Sequence, residues 1–374
     1  MSARLHLGVY PPLSPLAALA RARAAYPFDQ PGFALTHLGR GAVWLALRAL
    51  GLGHGSRVAM PSYHCGSEVE AARLAGVQID FYRVDASLRV DADDLARVAA
   101  GADAAYLISH FGFPMPSAPP GTPVIEDVAH GLFSHDPAGR PLGSGAQAAI
   151  FCPRKSLGVP DGGGLLVSGA RASAMAGRPD AGAMARSTLS LLAARAAMSR
   201  LAPLRAAASR VIARASRADA AARAGSLTET VIGEWDLRVD DLEAAAAGPS
   251  RVTEHLAART DASWVRRRRR SNYAALAAEL GELCFEPFRS LPPGTTPLYL
   301  PVLASDRPRA IARLLERGVR ALEIWPVAHP LLDRRRFAEL EPLRRGLLAL
   351  PVHQQLDPWH VQAVAAAARS ALSG

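Results

Sequence analysis

Lys155 is the only lysine in the chain; the other 42 of its 43 Lys and Arg residues are arginine. A sequence that uses arginine wherever a surface cation is wanted has kept one lysine for work arginine cannot do. Arginine stays protonated and is a poor nucleophile. A lysine amine can lose its proton and condense with an aldehyde. Schiff-base chemistry is the leading such role, and a chance survivor of compositional drift is the alternative. For the amine to act as a base near neutrality, its reference pKa of about 10.4 would have to be shifted down by burial.

Asp127 closes the apolar run Val124-Ile125-Glu126-Asp127, and His130 follows three residues later. A strand that delivers a carboxylate to a sheet edge could hold the pyridinium nitrogen of pyridoxal phosphate (PLP) protonated, making the ring an electron sink. The same residues would also suit a helix-capping aspartate and a nearby structural histidine. Gly39-Arg40-Gly41-Ala42 opens a helix whose free N–H groups and positive dipole end suit a phosphate, with Arg40 adding charge; an ordinary glycine turn fits equally. His64 and His110 are loop histidines beside aromatics, open to ring or substrate contact or to structural roles. His353 in Leu350-Pro351-Val352-His353-Gln354 is a substrate contact or a strand-end residue.

The elements that must position these residues alternate. Helix Gly41 to Leu50 carries Val43, Leu47 and Leu50 on one face. The runs 57–60, 77–82, 104–109, 124–127, 148–152 and 165–168 read as strands, with helical stretches at 67–74 and 92–99. This is an α/β pattern with a mostly parallel sheet, and ligands of such sheets sit outside the carboxyl ends of the strands. Three glycines, Gly162 to Gly164, let the chain turn tightly and pass close to a ligand. The last third, with strands at 298–303 and 347–351 and helices at 310–317 and 358–372, reads as a small α/β domain. The expected organisation is an N-terminal arm over 1–33, a large domain over 34–250 and a small domain over 251–374. Residues 180–245 form an atypical Ala/Arg-rich helical region.

The 374 residues are 49% hydrophobic, enough for a large core, with no uninterrupted apolar run of membrane-spanning length and no secretion-signal layout, so a cytoplasmic protein is expected. Three scattered cysteines suggest neither disulfides nor a zinc site, and no metal is expected. The net charge of +10 lies largely in 186–223. There Arg195, Arg200, Arg205 and Arg210 recur every five residues and would spiral round a helix, unlike a face that tracks nucleic acid. The run Arg266 to Arg270 reads as a solvated helix start, with phosphate contact the other reading.

Taken in order, Gly-Arg-Gly-Ala, Pro61-Ser-Tyr63-His64-Cys65, His110-Phe-Gly-Phe-Pro, Ile-Glu-Asp127-Val-Ala-His130-Gly, Phe-Cys-Pro-Arg-Lys155 and Pro-Asp-Gly-Gly-Gly resemble the DegT/DnrJ/EryC1/StrS aminotransferase family. The resemblance runs from about residue 34 to the end, including Trp325 and the closing Leu-Pro-Val-His-Gln-Gln, and is poor over 180–245. It implies the fold-type I PLP-transferase architecture, with a seven-stranded large-domain sheet, and a homodimer. It further implies Lys155 as the Schiff-base lysine, Asp127 on the ring nitrogen, His130 near the phenolic oxygen, and Gly41 and Ala42 at the phosphate. Tyr63, His110, Trp325 and His353 are the candidate substrate contacts. Arg40 stands where the family commonly has a threonine, Ile150 where it has a hydroxyl residue, and Cys65 where an aromatic stacks on the ring. Arg40 and His64 are the candidate replacements. The implied reaction moves an amino group from a small-molecule donor, glutamate or glutamine, to a keto or aldehyde acceptor such as a nucleotide-linked sugar. Dehydration, decarboxylation or carbon–carbon chemistry on the same fold, and a non-catalytic regulator, are the alternatives; a retained Lys155 argues against dehydratases that replace it by histidine.

Overall fold

The computed structural model describes residues 5–15, 22–223, 235 and 237–373, the side chains of 215–223 excepted. Parts of the N-terminal arm and of the 180–245 region therefore lie outside the described residues. The first half builds one seven-stranded sheet from β1 (Ala34–Thr36), β2 (Arg57–Pro61), β3 (Gln78–Tyr82), β4 (Ala104–Ile108), β5 (Val124–Asp127), β6 (Ala148–Phe151) and β7 (Gly163–Val167), in the order β1-β7-β6-β5-β4-β2-β3. Strands β3, β2, β4, β5 and β6 run parallel; β7 pairs antiparallel with β6, and β1 pairs antiparallel with β7 at the edge. Strands β4 and β6 are buried along their whole length, because helices cover both faces of a parallel sheet. The pattern expected from the sequence is present, and its strand ends differ from those expected by two residues or fewer.

Helix α1 (Gly39–Ala49) follows β1, α2 (Ser67–Leu74) follows β2, and α3 (Ala92–Ala99) connects β3 to β4. The parallel order brings Pro61, Ile108, Asp127 and Phe151 to one edge, where α4 (Pro153–Ser156) adds a single turn. Next come α5 (Ala181–Ala197), α6 (Ala202–Arg223), α7 (Val239–Ala246), α8 (Arg251–Ala257) and α9 (Ala262–Leu280). Between α5 and α6 the chain breaks at 198–201, and Pro203 sits in the first turn of α6, where its missing N–H costs nothing. Arg195, Arg200 and Arg205 are thus not on one helix. Arg195 donates to the Gln355 carbonyl, Arg200 lies over the Trp359 ring, and Arg205 caps the carbonyls of Ser199 and Arg200.

A three-stranded antiparallel sheet, β8 (Tyr299–Leu303), β10 (Leu347–Pro351) and β9 (Leu322–Glu323), is packed by α9, α10 (Arg307–Glu316) and α12 (Pro358–Leu372), with α11 (Glu341–Gly346) leading into β10. Leu7 of the N-terminal segment pairs with Val319 beside this sheet. No helix among the described residues is long and apolar enough to cross a membrane.

The arginine run 266–270 overturns the solvated reading at its fourth member, Arg269. Arg269 is 1% exposed and donates to Gln354 Oε1 and to the carbonyls of Pro297, Leu298 and Ser156. Arg268 reaches the carbonyls of Gln354 and Leu356, and Arg270 those of Pro292 and Thr295. The guanidinium fork can satisfy several carbonyls at once, so the run is a clasp that joins α9 to the loops around it.

Candidate active site

Lys155 sits on α4, immediately beyond β6. Its loop is held from three sides: Arg154 N–H donates to Gly162 O (3.3 Å), Lys155 N–H to Cys152 O (3.1 Å), and the Ser156 carbonyl accepts Arg269 (3.0 Å) and Gln354 Nε2 (2.9 Å). The glycines that follow are packed closely by protein: Gly162 against the Thr253 side chain, Gly164 against the Phe33 ring and Gly163 against backbone. A Cβ on Gly163 would lie 2.5 Å from the Leu38 carbonyl carbon, so only glycine lets β7 meet the start of α1. Asp161 ties the same loop down by accepting from His37, from Ser250 N–H and hydroxyl, and from the Thr253 hydroxyl.

Lys155 Nζ lies 3.1 Å from His130 Nε2. Burial, the Lys155 charge and His110 hold His130 far below the ordinary histidine value, so this contact is not a repulsion between two cations. Asp127 Oδ2 accepts the Tyr106 hydroxyl (2.8 Å) and Oδ1 the Ala129 N–H (2.8 Å). Burial raises the Asp127 carboxyl against the opposing pull of Lys155 and these two donors. The downward shift expected for Lys155 is not what its neighbours supply. Burial pulls the amine down, but Cys152, Tyr10, Cys65 and Asp127 outweigh it and leave the amine above its ordinary value.

These groups line a cavity of about 380 Å3, within the usual size range of a cofactor or small-molecule site. Leu38, Gly39, Arg40 and Val43 form one end, at the start of α1. Arg154 and Ile150 also face it, as do Leu322, Glu323, Ile324 and Trp325 from β9 and the residues after it. Gly41 and Ala42 do not line it. A Cβ on Gly41 would stand 2.2 Å from the Ala245 carbonyl carbon, so this glycine admits the backbone of α7. At the β2–α2 turn Cys65 faces the cavity, whereas His64 turns away to an edge contact with Phe81 and to His329. The aromatic rings on the cavity are Tyr10, His130, Tyr299 and Trp325, and His130 stacks on Trp325 with centroids 5.6 Å apart.

The remaining expected contacts are behind this wall. Tyr63 is fully buried; its hydroxyl donates to Ile324 O (2.9 Å), and Arg344 lies over its ring. Tyr63 thus positions the stretch that carries Trp325 and does not reach the cavity. His110 is buried against Tyr63 and Trp325. His353 lies in an adjoining chamber. Sequence reasoning missed Tyr106, Tyr10, Tyr299 and Glu68. Glu68, 3% exposed, accepts Cys65 N–H (2.8 Å) and the Ser67 hydroxyl (3.3 Å) at the cavity wall, and burial with the nearby Asp127 charge pushes it up to about 7.

The cavity fits PLP. It holds an amine for the aldehyde, a doubly hydrogen-bonded carboxylate for the ring nitrogen, and a helix start with an arginine for the phosphate. A Cβ on Gly39 would touch only Cys152, at 3.8 Å, so the helix entrance leaves space on that side.

Residues 33–176 match the model of the DegT/DnrJ/EryC1/StrS aminotransferase family. No curated protein matches the chain. Among solved structures, the sugar aminotransferase CalS13 from Micromonospora echinospora is 18% identical, with a TM-score of 0.60 over 97% of this chain and 99% of that one. The aminotransferase TlmJ from Streptoalloteichus hindustanus is 20% identical, with a TM-score of 0.58 over 100% and 99%. Spr1654 from Streptococcus pneumoniae, solved in a PLP form, is 13% identical, with a TM-score of 0.65 over 100% and 99%. At these identities the likenesses establish the fold.

Proposed function

We propose that this enzyme moves an amino group from glutamate or glutamine to a keto or aldehyde carbon on a sugar-like acceptor, a reading supported by residues 33–176, which carry Lys155 and Asp127 and match the model of the DegT/DnrJ/EryC1/StrS aminotransferase family. The observation that carries this reading is the cavity that holds the single lysine and the Tyr106-bound Asp127 together.

PLP supplies an aldehyde that condenses with amines and a ring that withdraws electrons from the substrate carbon. Lys155 Nζ would hold the cofactor through its aldehyde and, as the base and acid of the site, would take a proton from the donor carbon and pass it on within that half of the reaction, then deliver one to the acceptor carbon in the other half. Asp127 would keep the ring nitrogen protonated, and Tyr106 and Ala129 aim its two oxygens. His130, neutral and 3.1 Å from Nζ, can exchange a hydrogen bond with the amine without competing for charge. Arg40 and the Gly39 end of α1 would bind the phosphate, replacing the hydroxyl lost at Ile150. Trp325 and Tyr299 would close the cavity over the reacting groups and exclude water. By the same resemblance the enzyme works as a homodimer.

Adding PLP to the purified protein should give the visible absorbance of a lysine-bound cofactor, and Lys155→Ala should remove it. Glutamate should then convert the bound cofactor to its amine form, and keto acceptors should restore it. Absence of the band ends the cofactor reading. A band without amine exchange across donors ends the aminotransferase reading in favour of another PLP chemistry.

A further inference from the structure

Helices α5 and α6 pack on each other as a hairpin, and the outer one, α6, presents its apolar side chains in reverse. A helix on a globular body ordinarily turns its large apolar residues inward. Leu191 and Leu192 do this for α5 and dock it on the core of the large domain. In α6 the only buried side chain among the described residues is Ala208. Leu201, Leu204 and Val211 stand outside, 64%, 43% and 36% exposed. With Leu189 they make four of the nine exposed large apolar residues among the described ones, all between 189 and 211, so they form a patch and not a scatter. Leu204, Ala207 and Val211, spaced i, i+3, i+7, share one exposed face of α6, and Leu201 stands at the bend just before it.

Charge selects what covers this patch. From 181 to 218 the chain has seven arginines and no acid. Arg200, Arg210 and Arg214 are exposed, and Arg210 and Arg214 follow Ala207 and Val211 by three residues, so they border the apolar face. A second copy laid face to face would oppose these cations with cations, and no carboxylate of the hairpin would answer them. An anionic bilayer answers both features. Its phosphates accept the guanidinium groups, its acyl boundary takes the leucines, and the arginine stems can lie along the apolar surface between. No described helix is long and apolar enough to cross a bilayer, so the hairpin would lie on one.

We propose that the α5–α6 hairpin seats the enzyme on an anionic phospholipid surface, with Leu201, Leu204 and Val211 entering the headgroup boundary and Arg200, Arg210 and Arg214 among the lipid phosphates.

The test is flotation of the full-length, PLP-loaded protein with phosphatidylcholine vesicles that do or do not contain about 30% phosphatidylglycerol, alongside Leu204→Ser with Val211→Ser and Arg210→Gln with Arg214→Gln. All four positions are exposed, so both double variants spare the core and should keep the cofactor absorbance. Wild type should partition onto the anionic vesicles about tenfold or more above the neutral ones, each double variant should cut that about tenfold or more, and added salt should weaken it. Equal binding to both kinds of vesicle overturns the proposal. Binding that either double variant leaves unchanged is adsorption through another part of the chain and overturns it too. No binding to anionic vesicles also overturns it, and self-association that the serine variant abolishes would then give the face to a second copy.

Discussion

Glu68 makes a measurable demand on stability. Its carboxyl is buried beside Asp127 and titrates at about 7 in the fold against an ordinary 4.5. Because the folded value is raised, the stability it contributes is fully present below about pH 4.5 and is lost as pH rises through about 7. At roughly 1.4 kcal/mol per pKa unit, the shift of about 2.5 units amounts to about 3 kcal/mol, of which about 2 to 3 kcal/mol falls between pH 5 and 8. Glu68→Gln keeps an oxygen for the Cys65 N–H but has nothing to ionise. Urea unfolding of the cofactor-free wild type and Glu68→Gln across that range should therefore give stabilities that diverge, the variant gaining about 2 to 3 kcal/mol on the wild type by pH 8. In Asp127→Asn the divergence between the Glu68 and Glu68→Gln backgrounds should be smaller and level off at lower pH, because the Asp127 charge is the second cause of the raised value. Parallel stability curves for wild type and Glu68→Gln would refute the reasoning.

Gly41→Ala should cost at least about 1 to 3 kcal/mol, since its Cβ would meet the α7 backbone at 2.2 Å; an unchanged denaturation midpoint would contradict that packing. Tyr106→Phe removes one of two donors from the buried Asp127, so stability should fall by about 1 to 3 kcal/mol and more at high pH, where the carboxylate is charged. Equal loss at pH 5 and 8 would show that Tyr106 does not address the charged form. Arg269→Lys preserves charge but not the fork that serves four acceptors, and should lower stability by about 2 kcal/mol or more; a lysine that substitutes without loss would refute the clasp.

Lys155 and Asp127 were legible because each stands out locally, one by its uniqueness and the other at the end of an apolar strand run. The parallel sheet was legible for the same reason: continuous apolar runs separated by helical ones leave few topologies. What was not legible depends on contacts far apart in sequence. The burial of Arg269 depends on carbonyls at 297, 298 and 156 and on the amide of Gln354, and nothing in five consecutive arginines tells which one meets them. His64 and Cys65 differ by one position, but on an irregular turn neighbouring side chains leave in opposite directions, and no periodicity marks which faces the cavity. Tyr10 and Glu68 reach the cavity from the N-terminal segment and a helix start, with no motif of their own. Gly41 stands at a helix start suited to a phosphate, but its lack of a Cβ is required by α7, two hundred residues away, which lies against it.

The carbonyl oxygen of Ser156 takes one hydrogen bond from α9 and another from the turn after β10. Releasing the small sheet while the lysine loop stays native would leave the Ser156 carbonyl without either of its donors. The residue next to Lys155 thus ties the two sheets together, so the reactive amine's geometry should be lost in the same calorimetric transition as the small sheet.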